Sequence, residues 1–236
     1  MDNLLTTEHL LTLCVIGACI AMLVAATRLH PGTWTFAACR VLAILIVVNE
    51  VSWWVWLGFQ HTWSPGYGLP LQLCDVAAFV SAAALWTRQP LLVELTYFWG
   101  LAGTSNSLIT PDLVDHFPRF LFMQYYFAHG AIVAAALLLV IGLRIAPRRG
   151  AVLRVSALTL GLAALDAGVD VLTGANYMYL RYAPGVSSLL DAMGPWPWYL
   201  VGAAGLALAI FMALDLPFVL GRRHRAVPAS RSAGSG

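Results

Sequence analysis

Apolar residues run along the chain in blocks of roughly 17–25, the length a helix needs to cross a bilayer, with short polar stretches between them. The blocks are Leu10–Thr27, Phe36–Phe59, Leu69–Trp86, Leu91–Leu108, Phe120–Leu143, Val152–Thr173 and Trp198–Leu220. Breakers separate them in "HPGTW", "HTWSPGYG", "TRQP", "TPDLVDHFP" and "APRRG", and a longer connection, "GANYMYLRYAPGVSSLLDAMGPWP", precedes the last. The pattern predicts an all-α polytopic membrane protein with seven transmembrane helices. No linker is long enough to set off a second domain, so residues 1–225 read as one transmembrane domain and 226–236 as a disordered tail.

Composition agrees. Hydrophobic residues make up 60% of the chain and charged ones 10%, with a mean hydropathy of +0.79, whereas a soluble domain has about a quarter of its residues charged.

Charge adds the orientation. All 13 basic residues are arginine. Alternating spans put Arg28, Arg40, Arg88, Arg144, Arg148, Arg149, Arg154, Arg222, Arg223, Arg225 and Arg231 on one side and leave Arg119 and Arg181 on the other. The positive-inside rule makes the crowded side cytoplasmic, so the N-terminus is expected outside and the C-terminus inside. Asp2 and Glu8 precede the first span where a signal peptide would carry basic residues, so that span is expected to be retained. The same arginines account for the net charge of +2, and no motif points to nucleic acid.

Cys14, Cys19, Cys39 and Cys74 lie in three spans with neither metal-ligand spacing nor a disulfide framework. No metal or cofactor is expected. Cys14, Cys19 and Cys39 read as small packing residues.

Polar residues inside the spans carry the candidate chemistry. Asn49 and Glu50, Gln72, Cys74 and Asp75, Thr104, Ser105 and Asn106, Gln124, Tyr125, Tyr126 and His129, and Asp166 and Asp170 all fall in the middle or outer half. One outward-opening cavity would collect them, because ionisable groups within a membrane usually face a bundle interior or a wet cavity. The inner halves hold only Glu94 near the start of a span, which argues against a conduction path. A hydrogen-bonded network holding helices together accounts equally well for Glu50 and the aspartates. "GLAGTSNS", residues 100–107, allows close helix contact or breaks the helix.

Cysteine attacks as the thiolate and needs a base or a positive neighbour near neutral pH. His129 is the one histidine placed well inside a span, in the same half of the bundle as Cys74. Pro70 as a helix start puts Cys74 just beyond the first turn, where the dipole helps little. Asp75 points about 100° away from Cys74 around the helix. If both helices start at the membrane surface, Cys74 lies roughly 7 Å deep and His129 roughly 17 Å deep. They reach one level if the fifth helix begins above the bilayer and enters it near Met123.

"LPLQLCD", "FWGLAGTSNSLITPDL", "YYFAHG" and "NYMYL…SLLDAMGPWPWYL" resemble, in order and spacing over residues 40–220, the YwaF family of bacterial integral membrane proteins. Its wider superfamily includes transmembrane protein 164, a eukaryotic phospholipid acyltransferase, and more distantly the androgen-induced lipid hydrolases. The acyltransferase's nucleophilic cysteine and its histidine match Cys74 and His129. The resemblance implies a bacterial plasma-membrane protein that transfers lipid acyl groups through a Cys74 thioester, with His129 as base and membrane lipids as substrates. Gln72 or Asn106 is expected to donate to the oxyanion, and Glu50, Asp166 or Asp170 to orient the imidazole. The alternatives are a lipid ester hydrolase with the same site and a small-molecule transporter using the carboxylates.

Overall fold

The computed structural model describes residues 6–111, 113, 115–184 and 189–226. Helices α1 (Thr7–Leu29), α2 (Trp34–Phe59), α3 (Leu73–Thr87) and α4 (Pro90–Trp99) come first. A π-helical turn, Gly100–Thr104, joins α4 to the short α5 (Ser105–Ile109). Then follow α6 (Phe120–Leu137), extended by a second π turn to Gly142, α7 (Ala151–Thr173) and α8 (Trp198–Ala226). The expected tail from residue 227 onward lies outside the described residues.

Among the described residues, five helices are long and apolar enough to cross a membrane: Thr7–Leu29, Trp34–Phe59, Phe120–Gly142, Ala151–Thr173 and Trp198–Arg222. The third and fourth expected spans are helical but cut short. α3 has 15 residues, about 22 Å at 1.5 Å per residue, and it starts at Leu73, not at Leu69 or Pro70. The fourth is broken by the π turn. Position explains why this is tolerated: Gly100 and Thr104 of the turn are buried and 101–103 half-buried, and irregular backbone survives at membrane depth when protein surrounds it.

Burial sorts the helices into centre and rim. Two thirds (67%) of the α6 window is buried against 6% of the α1 window, so α6 forms the axis and α1 presents most of its surface outward. α3 packs on α2, α4 and α6, and α7 packs on α4 and α8. The shared core includes Ile46, Ala77, Leu85, Phe98, Ile132 and Leu139. Cys39 is buried there as expected, whereas Cys14 and Cys19 are exposed on α1 and lie outside this core.

Ionic clamps hold the arginine-rich end. Glu94, 1% exposed, accepts bonds from Arg148 Nε at 2.8 Å and Arg154 Nη2 at 2.8 Å, and from the Arg148 backbone N–H at 3.1 Å. This pairing raises the Arg148 pKa further above its ordinary value. The carboxylate thus staples the α6–α7 connection and the start of α7 to α4.

Candidate active site

Cys74 sits in the first turn of α3, which corrects its expected place beyond that turn. Gln72 is the N-cap, in an extended conformation, and the first helical bond runs from Val76 N to Gln72 O at 3.1 Å. The N–H groups ahead of Val76 therefore have no acceptor within the helix, and the positive end of the helix dipole lies beside the thiol. Asp75 reaches back to the Gln72 N–H, half of a capping box.

Two hydroxyls face the sulfur. Thr104 Oγ1 and Ser107 Oγ each lie 3.9 Å from Cys74 Sγ, at the long end of a sulfur contact. Their approach depends on the π turn: a Cβ at Gly103 would lie 3.2 Å from Leu73, and one at Gly100 would lie 3.2 Å from Ala136. Ser105 Oγ donates to the Leu101 carbonyl at 2.7 Å and lies 3.1 Å from the Gly100 carbonyl, which also accepts the Ser105 N–H across the widened turn. "GLAGTSNS" thus breaks the regular helix in order to seat two side chains. Ser107 went unnoticed in the sequence; its period from Thr104, one turn on, was the available signal.

A chain of contacts runs from this sulfur to the histidine. Tyr125 OH donates to the Ser107 carbonyl at 2.8 Å. One turn deeper, His129 Nδ1 lies 2.7 Å from the Tyr125 carbonyl, so Nδ1 carries the proton and Nε2 is left as an acceptor. The two rings lie 4.2 Å apart at 36°. Cys74 and His129 share no hydrogen bond. Glu50, 4% exposed, and Asp75 both lie within electrostatic reach of His129. The imidazole makes its hydrogen bond within its own helix, to the Tyr125 carbonyl, with Glu50, one of the expected orienting carboxylates, in electrostatic reach.

The remaining candidates take other partners. Tyr126 OH bonds His9 Nδ1 at 2.8 Å. His9 is itself 4% exposed, a second interior histidine that the apolar-block boundary at Leu10 concealed. Asn49 Nδ2 donates to the Gln124 carbonyl at 3.3 Å, tying α2 to α6. Asn106 is exposed. Gln72, also exposed, accepts from the Met178 N–H at 3.2 Å.

Asp166 and Asp170 are both fully buried on α7, beside the Tyr177–Tyr179 turn. Asp170 accepts from the Tyr177 N–H at 2.8 Å, while both oxygens of Asp166 and the second oxygen of Asp170 have no hydrogen-bond partner. Tyr177 in turn donates to the Pro65 carbonyl at 2.9 Å and accepts from the Leu69 N–H at 3.1 Å. "NYMYL" thereby fixes the loop that leads into α3. Burial raises the Tyr177 pKa, so the phenol stays protonated to make the first of these bonds.

Among the described residues no cluster of three or more histidine, cysteine or acidic side chains could hold a metal. The model of the TMEM164 family matches residues 4–215. The chain belongs to the TMEM164 family. No curated protein and no solved structure matches it. Within this TMEM164-family chain the match takes in Cys74, Thr104, Ser107, Tyr125 and His129. The apolar helices and the family together make it an integral, multi-pass membrane protein.

Proposed function

We propose that this protein is a membrane lipid acyltransferase that works through a thioester on Cys74. The observation that carries the reading is the linked set of Cys74, Ser107, Tyr125 and His129. It combines a thiol at a helix N-terminus, two flanking hydroxyls and an imidazole whose free nitrogen is the acceptor. TMEM164-family membership is consistent with such a role.

In the first half-reaction the Cys74 sulfur attacks the acyl carbonyl of a donor lipid. The S–C bond forms, His129 Nε2 takes the thiol proton, and the ester C–O bond breaks as that proton passes to the leaving alkoxide. The free N–H groups of the first turn of α3, with the Thr104 and Ser107 hydroxyls, supply donors to the oxyanion. In the second half an acceptor hydroxyl gives its proton to His129 and attacks the thioester, and the departing sulfur is reprotonated. Glu50 and Asp75 favour the imidazolium that forms in both halves. With water as acceptor the same steps give a hydrolase.

Arginine placement supports the membrane arrangement that goes with this reading. α3 and the α4–π–α5 segment complete seven spans, with the N-terminus outside, the C-terminus inside and Cys74 in the outer half of a bacterial plasma membrane.

Product analysis tests the proposal. Purified protein in bilayer nanodiscs receives a phospholipid with a labelled acyl chain, with and without a lysolipid acceptor. Transfer of label to the lysolipid, dependent on Cys74, supports the transferase; labelled free fatty acid alone identifies the hydrolase. Equal turnover by Cys74→Ala overturns both. A transporter, favoured only by the unpartnered oxygens of Asp166 and Asp170, predicts no acyl product.

A further inference from the structure

At the opposite end of α3 from Cys74, an apolar groove runs between α2 and α3. Its volume is about 420 Å³, and Ala43, Val47, Phe79, Ala82, Ala83 and Trp86 line it. On α3 the lining residues recur at the spacing of one helix face, from Phe79 to Trp86, about 10 Å along the axis. Trp54 stacks on Phe79, ring centroids 5.8 Å apart at 12°. Small alanines opposite branched and aromatic side chains leave a slot, not a ridge.

The other end of the groove is positively charged. The Arg40 guanidinium lies 5.3 Å from the Trp86 ring centroid and the Arg88 guanidinium 3.9 Å from that of Phe36. Such cation–π contacts hold the groups in place without neutralising them. The acidic groups at this end pair with other arginines: Glu94 with Arg148 and Arg154, and Asp215 with Arg222. No ion pair among the described residues includes Arg40 or Arg88. Arg40 thus stands against Trp86, a wall of the slot, and the half-buried Arg88, its Nε without a hydrogen-bond partner, follows two residues beyond Trp86.

We propose that the α2–α3 groove with Arg40 and Arg88 is a binding site for one anionic phospholipid of the leaflet at the arginine-rich end. One acyl chain fills the slot and the phosphate meets the guanidiniums. Basic pockets between membrane helices bind anionic headgroups in this way. The site is distinct from Cys74, which faces Thr104 and Ser107 on another side of α3, and it stands whether or not the acyltransferase reading holds.

Native mass spectrometry tests it. Full-length protein is incubated with equimolar phosphatidylglycerol and phosphatidylcholine of identical chains, and retained lipids are counted. Wild type is expected to keep one phosphatidylglycerol at least tenfold in preference to phosphatidylcholine. Arg40→Gln with Arg88→Gln should bring that ratio near parity, whereas Arg144→Gln with Arg149→Gln should leave it unchanged. Val47→Trp and Ala83→Leu, which fill the slot from opposite walls, should each lower retention of both lipids at least fivefold. Thermal melting of each variant identifies any that does not fold, and the other slot variant then decides. No preference in wild type, or an equal loss in both arginine pairs, overturns the proposal in favour of diffuse charge attraction.

Discussion

Tyr125 holds His129 by two contacts at once, a 2.7 Å bond from Nδ1 to its carbonyl and a ring 4.2 Å from the imidazole. The backbone bond fixes the tautomer and the ring fixes the tilt, while the Tyr125 hydroxyl ties the pair to Ser107 beside Cys74. Tyr125→Phe removes only that last tie. A single hydrogen bond contributes about 1 kcal/mol, so acyl transfer is expected to fall about fivefold, with melting lowered only slightly. A loss above a hundredfold, or none at all, measured by initial rates in nanodiscs, contradicts a positioning role.

His129→Ala is expected to lower turnover by about 10²–10⁴ while the protein melts within a few degrees of wild type. A variant that cannot be purified folded assigns His129 to packing and removes it from the chemistry.

Tyr126→Phe separates the two histidine clusters. It breaks the bond to His9 but touches nothing beside Cys74, so acyl transfer is expected to stay within twofold of wild type. Melting should drop slightly, by the worth of one hydrogen bond, about 1 kcal/mol. A rate loss matching that of Tyr125→Phe would mean that α1 reports to the site.

Much of this arrangement is legible in the sequence, and the reasons it stops are physical. Apolar run length locates α1, α2, α6, α7 and α8 because hydrocarbon thickness sets it. The same rule overextends α3 by four residues, since "LPLQ" is apolar enough for a membrane yet is held as loop by Tyr177, which lies 108 positions away from Leu69 in the chain. Cys74 and His129 stand out by residue type and depth. The links from Ser107 to Tyr125 and from Tyr125 to His129 could not, because both run to backbone carbonyls, which every residue has. Asp166 and Asp170 looked like members of the Cys74 cavity by depth alone; α7 packs on α4 and α8 and carries them to Tyr177 instead.

Glu94 is a stability residue, and its removal measures the clamp. Glu94→Gln leaves Arg148 and Arg154 without their carboxylate, and breaking a buried pair costs roughly 3 kcal/mol, reduced here because the arginine side chains are 50% and 36% exposed. Melting in detergent should fall clearly, and Arg148→Gln should cost less because Arg154 still holds the carboxylate. Equal melting of Glu94→Gln and wild type contradicts the clamp.

Topology follows from the arginines. Single cysteines at Gly66, Asp115 and Arg181 are expected to react with an impermeant maleimide added outside intact cells, and those at Gln89 and Pro147 only after permeabilisation. The reverse pattern would turn Cys74 toward the cytoplasm.

The central claim is that Cys74 carries the acyl group, and intact-mass analysis reads this directly. Protein given a donor phospholipid without acceptor is expected to gain the mass of one acyl chain, to lose it in neutral hydroxylamine, and to carry it on Cys74 and not on Cys14, Cys19 or Cys39. Cys74→Ser should show no hydroxylamine-labile adduct and little turnover. Undiminished acyl transfer by Cys74→Ala, with no adduct on wild type, contradicts the account.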